Sequence, residues 1–153
     1  MILTIDVGNT RIKGAVFEGD ILLEDFVFMK TEHEKKIQNI LKKYKKVTHL
    51  VISSVGFLEK ESFLHYNEEL NVHFMSHKDA FPFVNKYATP QTLGIDRMVL
   101  AAGATLQYPN QNRLVIDVGT CVTYDFIDEN DTYLGGAIAP GLRLRYESLH
   151  NYT

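Results

Sequence analysis

The sequence holds 153 residues, 45% of them hydrophobic and 23% charged, with ten glycines and four prolines. That is the length of one ordinary domain, or about one and a half small ones, in globular proportions that exclude collagen-like, disordered and low-complexity chains. The net charge of −3 argues against a dedicated nucleic-acid-binding domain, and the single cysteine, Cys121, excludes both an intramolecular disulfide and a Cys-rich zinc site.

The N-terminus, Met1-Ile2-Leu3-Thr4-Ile5-Asp6, has no basic leader region and already reads as a strand. No run approaches the ~18 apolar residues of a membrane span. A soluble, cytoplasmic chain with neither membrane nor nucleic acid as partner is the expectation. Residues 2–7 form a buried strand entering a turn at Gly8, followed by strands over 11–17 and 21–29 around an acidic turn at Glu18-Gly19-Asp20. Short turns between three strands predict an antiparallel meander. Thr31 and Glu34 have capping-box spacing, and Ile37, Ile40, Leu41 and Tyr44 then lay one apolar stripe along a helix. That helix closes in Lys42-Lys43-Tyr44-Lys45-Lys46, which suits the negative end of its dipole better than it suits a nucleic-acid patch.

Further along, a strand is predicted over 50–53, a helix over 59–70 with Phe63 and Leu64 inward, and a short strand over 72–75. Residues 78–92 read as a loop, and Thr92 is placed to cap a helix running from about 93 to 107. Tyr108-Pro109-Asn110-Gln111-Asn112 has turn composition. Strands follow over 114–118, 122–127 and 133–139, then Pro140-Gly141 and a last helix. The six histidines are scattered and read as structural or solvated.

The pattern after residue 112 is a restart. Leu3-Thr4-Ile5-Asp6-Val7-Gly8 recurs as Leu114-Val115-Ile116-Asp117-Val118-Gly119, changed at the second position alone, and each copy leads into a second strand, an acidic turn and a third strand. A repeat this long points to duplication of a domain, with residues 1–111 as the first copy and 112–153 as the start of the second. An Asp at the tip of a buried strand needs N–H donors, a cation or water around it, and the Gly two residues later lets a backbone or ligand come close. Asn9, Thr10 and Thr120 add donors beside the two turns. Two such hairpins across a cleft would hold phosphates with N–H and hydroxyl groups, while their carboxylates carry hard cations. The common phosphate loops, Gly-x-x-x-x-Gly-Lys-Ser/Thr and Gly-x-Gly-x-x-Gly, are absent.

Paired Asp-x-Gly hairpins on duplicated β-β-β-α-β-α-β-α halves resemble the acetate and sugar kinase/heat-shock protein 70/actin superfamily, whose domains are ribonuclease H-like (actin-like ATPase) α/β folds. Within it the sequence is similar to type III pantothenate kinases, on Asp6-Val7-Gly8-Asn9-Thr10, Gly94-Ile95-Asp96-Arg97, Asp117-Val118-Gly119-Thr120 and Gly135-Gly136-Ala137-Ile138-Ala139-Pro140-Gly141. Gly-x-Asp-Arg is the most specific of these motifs. The resemblance implies ATP-dependent phosphorylation of the primary hydroxyl of pantothenate, the first step of coenzyme A biosynthesis, by a homodimer using Mg2+ and a monovalent cation, K+ or NH4+.

The implied roles follow the motifs. Asp6, Val7, Gly8, Asn9, Thr10, Arg11, Ile12 and Lys13 match the first phosphate motif, which binds ATP, with Asp6 toward Mg2+. Gly94, Ile95, Asp96 and Arg97 match the segment that contacts pantothenate, Asp96 falls on the catalytic base, and Tyr87 falls on a tyrosine lining the substrate site. Asp117 matches the monovalent-cation ligand and Thr120 an ATP contact. A first-turn carboxylate that merely favours the helix dipole is the plainer reading of Asp96, and Cys121 reads as a small residue after the turn rather than a nucleophile. A phosphohydrolase of the same superfamily would share the hairpins without obvious need for Gly-Ile-Asp-Arg, and a non-catalytic nucleotide-binding regulator or actin-like assembly protein would keep the cleft and lose turnover. Members of the family continue well past the last helix predicted here, so the second copy is expected to be only begun in this sequence, and this stretch alone is not expected to turn over ATP.

Overall fold

The computed structural model describes residues 1–55 and 60–152, and the chain divides into two compact units, Met1–Ser76 and His77–Thr153. In the first unit β1 (Ile2–Val7), β2 (Arg11–Glu18) and β3 (Ile21–Met29) form the expected antiparallel meander. α1 (His33–Lys43) leads to β4 (His49–Ser54) and β5 (Asn71–Phe74), both added parallel. The resulting sheet order, β3-β2-β1-β4-β5, is the ribonuclease H-like arrangement. Alternation along β1 turns Leu3, Ile5 and Val7 inward, where Ile37 and Ile40 of α1 meet them together with Ile12, Leu50, Ile52 and Phe63.

Three local predictions need correction. Thr31 and Glu34 form no capping box: the chain leaves β3 through a 3-10 turn, Lys30–Glu32, which takes Thr31 inside the turn. Glu32 instead reaches back to accept the Met29 N–H (3.4 Å). The segment expected as an α-helix over 59–70 is a 3-10 helix, Lys60–Glu68, with Glu59 lying outside the described residues. A three-residue period replaces the inward pair Phe63/Leu64 with Phe63 and Tyr66, leaving Leu64 exposed. Burial pushes the Tyr66 hydroxyl up to about 12. Thr92 does not cap the next helix either. Pro90 starts a separate 3-10 turn that ends at Thr92, whose hydroxyl donates to the Thr89 carbonyl (2.9 Å), and Gly94 occupies the N-cap position.

The second unit holds β6 (Val84–Asn85), within the predicted loop, then α2 (Ile95–Gln107), β7 (Arg113–Val118), β8 (Cys121–Ile127), β9 (Thr132–Pro140) and α3 (Leu142–Tyr152), with sheet order β6-β9-β8-β7. β7, β8 and β9 repeat the meander of β1 to β3 down to its irregularity. In each, a bulge follows the sixth residue of the middle strand and gives the third strand an extra leucine, Leu23 in one and Leu134 in the other.

α2 packs on β7 and β8 with Ile95, Met98, Ala101 and Thr105 inward. Arg113, 4% exposed at its side chain, fastens the end of that helix to the β8–β9 turn. It donates to the carbonyls of Thr105 (3.4 Å), Tyr108 (3.2 Å) and Asp128, and pairs with Asp131 (2.7 Å). Arg113→Met keeps the stem but strands these acceptors, so the expected result is a loss of about 3 kcal/mol in the denaturant midpoint analysis. Asp131→Asn, which alters only the half-exposed partner, should cost under about 1 kcal/mol.

Candidate active site

Both predicted hairpin turns exist, and each is closed by its glycine. The Gly8 N–H donates to the Arg11 carbonyl (3.1 Å), and the Gly119 N–H to that of Cys121 (2.9 Å). In the first, Asp6 ends β1 half-buried, in parallel register with Ser53, whose hydroxyl donates to Asp6 Oδ1 (3.2 Å). Asn9, Arg11 and Lys13 are exposed, and Gly8 and Thr10 half-exposed, so all five can meet a ligand. Val7 and Ile12 are fully buried in the core, which leaves them only backbone groups to offer.

In the second hairpin Asp117 is half-buried on β7, opposite Thr123 of β8, and Thr120 is exposed. The Thr123 hydroxyl oxygen is buried and has no hydrogen-bond partner among the described residues. Gly141 places its N–H on the Thr120 carbonyl (2.9 Å), and a Cβ at Gly141 would collide with the carbonyls of Gly119 and Thr120. The Pro140-Gly141 segment therefore holds the turn from behind by an approach that needs glycine.

The Gly94–Arg97 motif opens α2. A Cβ at Gly94 would strike Asp96 Oδ1, so glycine lets the Asp96 carboxylate fold back over its own turn and accept the Arg97 N–H (2.8 Å). Asp96 Oδ2 takes no hydrogen bond among the described residues. Ile95 is buried and, like Val7, can offer only its backbone.

Arg97 points into the unit. Its Nε and Nη2 donate to Asp125 Oδ1 (3.0 and 2.6 Å), and Nε also to Oδ2 (3.2 Å). The Tyr133 hydroxyl donates to the same Oδ1. Asp125 is wholly buried, and the Arg97 side chain is 12% exposed. Burial alone would weaken the guanidinium's hold on its proton, but the hydrogen bond and charge of Asp125 outweigh it and strengthen that hold. Tyr133 is pushed up by burial first and by donation to Asp125 second.

Tyr87 joins this cluster. Its N–H donates to Asn85 Oδ1 (2.9 Å), its ring lies 6.3 Å from that of Tyr133, and it packs over Gly135, whose φ of +117° favours glycine. A Cβ at Gly136 would collide with the Tyr124 carbonyl and lie 2.9 Å from Arg97 Nη2. The two glycines thus seat the tyrosine ring and the guanidinium respectively.

The second unit in this way brings Tyr87 and Arg97 together around Asp125 and Tyr133, two residues the motifs did not single out, with Asp96 one residue before Arg97 on the turn that opens α2. Their signal lies in the pattern of β8. Alternation puts Asp125 on the same face as the buried Ile127, and an acid at an inward strand position requires a cation or several donors.

A family model described as type III pantothenate kinase matches residues 2–153. The chain is 72% identical over its whole length to a type III pantothenate kinase of Flavobacterium johnsoniae, covering 63% of that protein. It is 58% identical over its whole length to one of Flavobacterium psychrophilum, covering 64%. It thus spans about 63% of the length of these curated relatives. Among solved structures, a Baf family protein of Campylobacter jejuni shares the fold at a TM-score of 0.54 and 24% identity, over 98% of this chain and 59% of that one. With a matching model over almost every residue and relatives this similar end to end, the chain belongs to the type III pantothenate kinase family.

Proposed function

We propose that the full-length protein transfers the γ-phosphoryl group of ATP to the primary hydroxyl of pantothenate, giving 4'-phosphopantothenate at the start of coenzyme A biosynthesis, and works in the cytoplasm as a homodimer. The observation that carries this reading is the Gly94–Arg97 turn, which leaves Asp96 Oδ2 without a hydrogen bond among the described residues and follows it directly with an arginine whose side chain is locked by a buried acid. A hydrolase would share the hairpins without obvious need for this arrangement, and a nucleotide-binding regulator is told apart by binding ATP without turnover. The duplicated sequence supports residues 1–111 as a first ribonuclease H-like domain and 112–153 as the beginning of a second.

Phosphoryl transfer asks the protein mostly for positioning and charge stabilisation, plus one group to accept a proton. The hydroxyl oxygen of pantothenate forms the new bond to the γ-phosphorus, the bond to the β–γ bridging oxygen breaks, and ADP leaves with that electron pair. Asp96 Oδ2 takes the hydroxyl proton. Arg97 donates to a substrate oxygen, and Tyr87 lines the substrate site. The first hairpin offers phosphates the backbone N–H groups at the tip of its turn, the Thr10 hydroxyl and the Lys13 ammonium, and the second hairpin, taken by itself, offers the Thr120 hydroxyl.

Among the described residues no three His, Cys, Asp or Glu side chains gather as a metal cage. That suits Mg2+ arriving with ATP, since this ion keeps several waters and uses one or two carboxylates plus substrate phosphates; Asp6 is the carboxylate in place. Asp117, with the Thr123 oxygen opposite it that takes no hydrogen bond among the described residues, offers the oxygen donors a monovalent cation takes. When bound, these cations neutralise charge on the phosphates.

Asp96→Asn in the full-length protein preserves size and polarity but cannot accept the proton. The expected result is a fall in kcat of roughly 10²- to 10⁴-fold with the KM for ATP and the melting temperature nearly unchanged. A loss of about 1 kcal/mol of stability with kcat within a few-fold would reduce Asp96 to support of the helix dipole. Turnover is also expected to rise steeply when K+ or NH4+ replaces Na+ in the assay; equal rates in all three salts would remove the cation role from Asp117.

A further inference from the structure

We propose that Asp125, backed by the Tyr133 hydroxyl, is a positioning residue for recognition of the acceptor substrate: it grips Arg97 side-on and presents the remaining guanidinium donors to a substrate oxygen. The proposal rests on the kinase reading above and deepens it.

The geometry is specific. A guanidinium has five N–H donors. Asp125 engages Nε and one hydrogen of Nη2, which leaves both Nη1 hydrogens and the second on Nη2 for another acceptor. Arginine carries a long flexible stem whose rotamers must be fixed before its donors can serve a ligand, and a side-on carboxylate fixes the plane of the group as well as its place. Asp125 cannot drift, because the Tyr133 hydroxyl holds its Oδ1 from the other side and the residue is wholly buried. Gly136 clears the space where Nη2 lies. Tyr133 also sets its ring near that of Tyr87, so one side chain braces two groups assigned to the substrate.

A purely structural salt bridge explains less of this. Burying an ion pair gains little stability over apolar side chains of similar volume, and here, among the described residues, the arginine keeps donors that no acceptor takes while its side chain stays 12% exposed. The pair is also close to neutral as a unit. It supplies directed donors rather than bare charge, and so should govern affinity for the acceptor and not for ATP.

The test is steady-state kinetics on the full-length protein with Asp125→Asn, Arg97→Ala, the double variant and Tyr133→Phe. Asp125→Asn should raise the KM for pantothenate about tenfold to a hundredfold, the scale of losing a charge-assisted hydrogen bond. The KM for ATP and kcat should stay within about threefold. Because Asp125 acts through Arg97, the double variant should be no worse than Arg97→Ala alone. An unchanged KM for pantothenate, equal rises in both KM values, or additive losses in the double variant would overturn the proposal. Should Asp125→Asn fail to fold, Tyr133→Phe decides: it removes one hydrogen bond and no charge, and is expected to raise the KM for pantothenate severalfold with the KM for ATP unmoved, whereas no change in either overturns the role. Absence of transfer to pantothenate by the unsubstituted protein would overturn the kinase reading and this proposal together; normal transfer with the contrary variant results overturns this proposal alone.

Discussion

A wholly buried carboxylate has to be answered, and the way Asp125 is answered organises the second unit. One of its oxygens accepts from Nε and Nη2 of Arg97 and from the hydroxyl of Tyr133, which ties the first turn of α2 to β8 and β9, the middle and last strands of the second meander, in a single knot. Neutralising that charge by an arginine from the first turn of a helix gives the chain a rigid guanidinium that is not wholly buried. Asp96 sits one residue earlier on the same turn and is held by the Arg97 backbone N–H, independently of the guanidinium. The two glycines of β9 are the complement of this arrangement, one beneath Tyr87 and one beneath the guanidinium.

Much of the fold was legible in the sequence because it rests on period and punctuation. Strand alternation, the Gly8 and Gly119 turns, the apolar stripe of α1 and the recurrence of Ile-Asp-Val-Gly all appear where the pattern put them. The failures share one cause, which is that helix entry depends on the path of the preceding chain. Thr31 and Thr92 are good capping residues by type, yet 3-10 turns take both out of position. Lys60–Glu68 likewise carries apolar residues that fit either helical period, and only packing selects the tighter one.

The site was legible to the extent that it follows turns. Asp6, Asp96, Asp117 and Thr120 lie at or beside element ends, where sequence reasoning expects chemistry. Val7, Ile12 and Ile95 belong to the same motifs but are core residues whose side chains cannot face a ligand, so a motif match overstates what they contribute. Asp125 and Tyr133 are hidden for the opposite reason. They stand in mid-strand, where a polar residue resembles ordinary alternation until its face is known to be inward.

The two meanders carry nearly the same strand and meet different surroundings. Leu3, Ile5 and Val7 are sealed under α1, while their counterparts Leu114, Ile116 and Val118 are half to two-thirds exposed across the described residues. During synthesis this difference becomes one of timing. The first unit closes its core within residues 1–76 and can settle as soon as that length has left the ribosome. The strand of the second unit emerges later with an uncovered row of leucine, isoleucine and valine, and for as long as it stays so it is open to chaperones and to unintended pairing with other chains.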